Sequence, residues 1–271
     1  MPNRPARRRL AAGPVVALAS ASLLSACLSN DGFETNNRYG SITIESNGSS
    51  DGRVLATAVG TFFRGGEIEL PSSRVTNDNC GTFNLITETF TPGNLDAGGE
   101  VQLQVAGASY ALSESAQVPR LYSLSNGGTF SYAPGDTARL AVPGSAGGFP
   151  AAQVAVRLAE PVQLGTVTDG EINEDLPVSW TTNGDANSSI IISLRYTTSL
   201  TSTVPDVQVL CVVRDNGAYA IPSSFLGNYY TANPESRSLN VLRWRTSTSE
   251  VDERTALYVV STTDTTVALI P

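Results

Sequence analysis

The sequence predicts an all-β protein, two tandem immunoglobulin-like β-sandwich modules that follow a cleaved signal peptide. Three observations carry the prediction. Short runs rich in Val, Ile, Thr, Tyr and Phe recur between Gly, Pro, Asn, Asp and Ser clusters roughly every ten residues, the spacing of sandwiches and barrels. Helical periodicity nearly vanishes after Ser41. The 245 residues from Cys27 to Pro271 exceed one immunoglobulin-size module and suit two.

The N-terminus divides into three parts. Arg4, Arg7, Arg8 and Arg9 come first, then an apolar run from Leu10 to Ala26, then the small-residue site Leu24-Ser25-Ala26-Cys27. This order is that of a secretory signal. An uncleaved membrane-spanning helix is the competing reading, but the run is at the short limit for crossing a bilayer. Gly13-Pro14 and the serines at 20, 22 and 25 weaken it as a span, and no positive cluster follows before Arg38. Residues 1-26 are therefore expected to be a signal peptide.

Leu28 to Gly40 (LSNDGFETNNRYG) is polar and Asn/Gly-rich, and 27-40 is expected to be a flexible tether. In the first module, 41-160, strands are expected near 41-46, 53-63, 82-89, 100-106, 109-113, 118-123, 129-132, 137-142 and 152-158. Val54, Ala56, Ala58, Gly60 and Phe62 keep one strand face small, as close sheet packing requires. The run Pro143 to Pro150 (PGSAGGFP) reads as a long loop before the last strand. Proline at 161 restricts Glu160 to extended geometry, which places a stiff module boundary there.

The second module, 161-271, has expected strands near 162-167, 177-182, 189-196, 206-213, 217-221, 239-246, 255-261 and 264-270. Arg214-Asp215-Asn216-Gly217 reads as a hairpin turn, since Asn-Gly tolerates positive φ. Ser223-Ser224 is placed to cap one helical turn.

Composition excludes several function classes. The full chain has 17 basic and 25 acidic residues, no histidine, and arginine as its sole cation. Cutting before Cys27 removes four arginines and no acid, which leaves a net charge of −12. Nucleic acid is not an expected partner, because phosphate binding needs clustered positive charge. Without His there is no Ser-His-Asp triad and no Cys-His pair. Without Lys there is no Ser-Lys dyad, Schiff base or P-loop lysine. A paired-carboxylate hydrolase survives this filter, yet no spacing singles out one pair.

Leu24-Ser25-Ala26-Cys27 resembles the lipobox of bacterial lipoproteins. The resemblance implies cleavage between Ala26 and Cys27 by signal peptidase II and a diacylglyceryl group on the Cys27 sulfur, usually with a third acyl chain on its amine. Two or more chains hold stably where one does not. In such lipoproteins an Asp after the cysteine favours retention at the inner membrane; here Leu28 implies the outer membrane. A looser resemblance covers about 177-226, where L-P-V-S-W, I-I-I-S-L and V-L-C-V-V-R-D-N-G-A-Y-A-I-P-S-S-F-L are similar to a sandwich module of uncharacterised bacterial lipoproteins. Those are core, turn and proline positions, so the likeness implies fold and no activity.

Four features compete for a binding role. Asp169, Glu171, Asn173 and Asp175 alternate like calcium ligands, but Glu174 stands where an EF-hand needs Gly and Trp180 where it needs Glu, so a solvated acidic loop is preferred. Trp180 and Trp244 could stack on sugars, but both lie in apolar strand patterns and are expected in the core. Arg237, Arg243 and Arg245 form the one basic cluster after Cys27, expected as edge-strand charges. Cys80 sits in a turn-like stretch and Cys211 on an apolar strand face of the other module. Both are expected to be free thiols, because a disulfide needs Cα atoms within about 7 Å.

Taken together, the sequence points to a lipid-anchored protein of the outer membrane with a structural, adhesive or recognition role and no catalysis. Its expected partners are the membrane, through the anchor, and an envelope protein or polysaccharide. A carbohydrate-binding or calcium-dependent adhesion module is the alternative, and a carboxylate-based hydrolase the third reading. Apart from the lipid on Cys27, no cofactor is expected unless the acidic loop binds calcium.

Overall fold

The computed structural model describes residues 37–65, 72–85, 93–167, 173–182, 184–199 and 201–268. The signal peptide, the lipobox with Ala26 and Cys27, and most of the tether lie outside them. Among the described residues, no helix is long and apolar enough to cross a membrane.

The chain is all-β, with one short α-helix among the described residues. Its strands are β1 (Arg38–Ser50), β2 (Arg53–Arg64), β3 (Asn79–Asn84), β4 (Val101–Val105), β5 (Ala108–Glu114), β6 (Leu121–Leu124), β7 (Phe130–Tyr132), β8 (Thr137–Val142) and β9 (Ala152–Arg157). There follow β10 (Leu176–Ser179), β11 (Ser189–Tyr196), β12 (Val207–Arg214), β13 (Ala218–Ile221), the helix α1 (Gly227–Thr231), β14 (Ser238–Asp252) and β15 (Thr255–Ala268). Most expected strands form where alternation placed them, because one face of each is apolar. There are exceptions: the strand expected near 82-89 is β3, which begins at Asn79. The tether gives way to β1 at Arg38, before Gly40. The segments expected at 255-261 and 264-270 run as one strand through Ala268, and 162-167 contributes a single bridge from Leu164 to Trp180.

Twelve strands form one path in the order β3-β12-β11-β14-β15-β1-β2-β6-β5-β4-β8-β9, with β7 beside β2 and β10-β13 as a separate ribbon. The β1–β15 pair is parallel, with Ile42 opposite Val259, while its neighbours are antiparallel. From β15 to β9 the sheet curls until β9 packs on β14 and β15. There the Ala159 N–H donates to Ser261 Oγ at 3.0 Å.

Two apolar cores result. Ile42, Ile44, Val54, Ala56, Ala58, Phe62, Leu103, Leu140, Phe149 and Leu158 fill the first, joined by Leu257 and Val259 from β15. The small face of β2 does what its sequence implies: a Cβ at Gly60 would come within 3.3 Å of Ile42. The 143–150 loop folds over this core and drives Phe149 against Phe62, ring centroids 4.9 Å apart. It holds by backbone contact, and a Cβ on Gly98 (φ +84°) would overlap the Gly144 carbonyl.

The second core lies between β12-β11-β14 and the β10-β13 ribbon with α1. It holds Ile190, Ile192, Leu194, Val209, Cys211, Val213, Val241 and Tyr229. Ile191, Leu242, Trp244 and Val260 cluster on the reverse face of the same sheet. The cores change over between Leu158 and Val162, around the expected boundary at Glu160-Pro161. Strand pairing does not respect that point: β15 lies on β1, and β3 lies on β12.

Candidate functional site

Glu160 and Pro161 stand at the centre of a buried polar cluster. Its heart is the Arg243–Asp215 pair, 2.7 Å from Nε to Oδ2, with 2 % and 0 % of the two side chains exposed. All five guanidinium N–H groups of Arg243 can be assigned. Nε and Nη2 donate to Asp215, Nη2 also to Thr181 O at 2.6 Å, and Nη1 to Glu160 O and Pro161 O at 3.2 and 3.1 Å. Asp215 also accepts from Trp180 Nε1 at 2.8 Å and Ser188 Oγ at 2.7 Å. A buried ion pair escapes its desolvation cost only when its remaining donors and acceptors are filled, as here.

A second group continues it. Arg245 binds Glu160 through two oxygens and also meets Asp185, and Arg157 reaches the same two carboxylates at 3.0 and 3.2 Å. Burial pushes the Asp185 carboxyl up, but hydrogen bonds from Arg245 and the Asn187 N–H, with the charges of Arg245 and Arg157, hold it below the usual carboxylate range. A carboxylate held that way stays ionised and makes a poor general acid, the role a hydrolase would ask of one member of such a pair.

The sequence reading of these arginines needs correction. Arg243 and Arg245 do not guard a sheet edge, because β14 lies between β11 and β15. They share the face of Leu239 and Val241, so alternation already pointed them inward, and carboxylates from other loops made that tolerable. Arg237 is also buried, donating to Tyr230 O and Ala232 O and lying 5.3 Å from the Tyr229 ring centre. Asp215 is the residue that sequence reasoning missed. Its turn is no hairpin: β12 pairs with β3 and β11, β13 pairs with β10, and the turn passes the chain between sheets. The signal was the face Val209, Cys211, Val213, whose next member is Asp215.

The two remaining described cysteines are not free thiols. Cys80 and Cys211 form a disulfide, with Cα atoms 4.0 Å apart. Cys80 is a strand residue of β3, directly opposite Cys211 in the β3–β12 ladder. The expectation of free thiols assumed that segments on either side of the expected boundary would stay apart, and β3 instead pairs with β12.

Other expected site residues are scattered. Trp180 and Trp244 are buried, as their strand patterns require. Asp169 and Glu171 lie outside the described residues. Asn173 takes a positive φ of 77°, and Asp175 accepts the Ser223 N–H at 2.7 Å. The helical turn at 223–225 forms without a serine cap; its N-cap is Pro222. No group of three or more His, Cys, Asp or Glu side chains is placed to hold a metal ion among the described residues.

A shallow depression of about 300 Å³ lies on the outer face of β4, β8 and β9. Gln102 and Gln104 stand opposite Ala141 and Arg139, and Ala141 stands opposite Gln153. The floor is low because Ala141 and Ala155 are small. Three exposed carboxamides and one guanidinium offer donors and acceptors but no nucleophile or base, so the chemistry available on this face is binding.

No protein-family model matches the chain, and no curated protein resembles it at a significant level.

Proposed function

We propose that this chain is a lipid-anchored surface protein of the bacterial outer membrane with a structural, adhesive or recognition role and no catalysis of its own. In this reading, residues 41-160 and 161-271 are two immunoglobulin-like sandwich modules, with β15 and β3 contributed across the junction. The observation that carries the proposal is the Cys80–Cys211 disulfide. Disulfides persist in oxidising compartments, so the bond supports export. The chain has three cysteines; the disulfide joins two of them, and the third is the lipobox cysteine, Cys27. Mass spectrometry of the mature N-terminal peptide tests it: a diacylglyceryl-modified Cys27 is expected, and Cys27→Ala should leave an uncut, unlipidated precursor. An unmodified Cys27 at the N-terminus of mature protein would refute the anchor.

A second reading, a carbohydrate-binding module, is favoured by Gln102, Gln104, Arg139 and Gln153 on the open sheet face. Planar amides and guanidinium groups suit sugar hydroxyls and carboxylates. Binding to envelope polysaccharide that is lost on Gln104→Ala with Arg139→Ala would establish it.

A further inference from the structure

One end of the sheet combines arginines, aromatic rings and the point where the chain arrives from its tether. Arg38, the first residue of β1, stands opposite Arg64, the last residue of β2. The Arg38 N–H also donates to Arg254 O at 2.7 Å, in the turn between β14 and β15. Three arginines therefore stand side by side, with the backbones of the outer two about 10 Å apart from ladder spacing. Arg38 pairs with Asp252 at 3.5 Å. Arg64 and Arg254 are exposed and form no ion pair among the described residues, although Arg64 Nη2 donates to Gly147 O at 2.8 Å. One step along the ladder, and so on the opposite face of the sheet at this same end, the half-buried Tyr39 and Phe63 stack with centroids 5.0 Å apart.

These are the groups that suit a phospholipid surface. Guanidinium groups bind phosphate through paired N–H donors. Tyrosine and other amphipathic rings settle at headgroup level. Position selects the same partner. Cys27 lies eleven residues before Arg38, so an acylated Cys27 keeps this end within about 40 Å of the membrane at full extension. The other end of β1, Ser50, is 12 residues further on and is displaced by about 40 Å more.

We propose that the Arg38–Arg64–Arg254 end, with Tyr39 and Phe63, docks on phospholipid headgroups, so that the protein stands end-on with its Asp51-Gly52 turn away from the bilayer. The inference rests on the lipid-anchor reading. The anchor supplies affinity by holding the end at high local concentration; the arginines supply orientation. Attraction is local, because Glu250, Asp252 and Glu253 share this end and the chain as a whole is acidic.

The test uses the full lipidated protein in phosphatidylethanolamine–phosphatidylglycerol vesicles, with a fluorophore on Glu253→Cys or, in a second sample, on Ser49→Cys. Lipids carrying a headgroup nitroxide should quench the label at 253 several-fold more than the label at 49. Arg64→Glu with Arg254→Glu should abolish the difference while acylation of Cys27 persists. Equal quenching at both positions on an acylated protein would overturn end-on docking and leave the anchor reading intact. A difference that survives the double substitution would overturn the role of the arginines. An unacylated Cys27 would remove the anchor reading and this proposal with it.

Discussion

Arg243 and Asp215 meet at 2.7 Å in the interior, on strands and turns that the sequence places 28 residues apart. Around them gather Trp180, Thr181, Ser188, Glu160 and Pro161. The pair therefore ties the chain at Glu160-Pro161, the loop after β10, the β12–β13 turn and β14 to one another. Its energetic weight lies in the penalty for leaving either charge alone.

Asp215→Ala, which strands the Arg243 guanidinium, should destabilise the protein by about 3–5 kcal/mol in denaturant unfolding. Arg243→Met should cost a similar amount. The double substitution Asp215→Leu with Arg243→Met should lie well short of the sum, because it removes both desolvated charges together. Additive effects would show that the two side chains act independently.

The disulfide fixes β3 to β12 across a sequence separation of 131 residues. Loop-closure entropy for a link of that span is about 5 kcal/mol, with measured losses of about 2–5 kcal/mol on removing native disulfides. Cys80→Ala with Cys211→Ala should lower the stability within that range. Alkylation of the unreduced, denatured protein should leave Cys80 and Cys211 unlabelled, and prior reduction should expose both.

Stability should be flat between about pH 5 and 8, because no histidine is present to titrate there. It should fall as pH drops through the carboxylate range. The hydrogen bond from Arg214 is the largest cause holding Asp78 below its ordinary value of 3.8, and Asp185, despite its burial, is lowered by Arg245 and its neighbours. A depressed folded-state pKa gives stability that is present above the unfolded value and lost as pH falls through the folded one. Melting temperatures across the range measure this. Asp185→Asn should lower the plateau and blunt the acid transition, whereas an unchanged acid limb would remove Asp185 from the account.

Much of the architecture was legible in residue order. β8 and β11 have the bounds that alternation gave them, and the all-apolar face of β12 identified Cys211 as a core residue. The burial of both tryptophans followed from the same rule. Alternation reports which face a residue occupies, and burial of apolar area rewards one answer strongly. The charged members of those faces were harder to read. Arg243 follows Leu239 and Val241 into the interior, but a lone strand does not show that Asp215 waits there to neutralise it.

By itself the sequence determined the β class, the positions of most strands, the acidic balance, the absence of histidine and lysine chemistry, and the lipobox-like Cys27. Each of these is written in local composition or short-range periodicity. Only the tertiary structure decided that β15 lies parallel to β1, that β3 crosses to β12 and brings Cys80 to Cys211, and that Arg243 and Arg245 sit in a central strand. These are partnerships between distant segments. Strand edges carry the same N–H and C=O groups whatever their sequence, so which edge a strand joins depends on the fit of its whole face against the rest of the molecule.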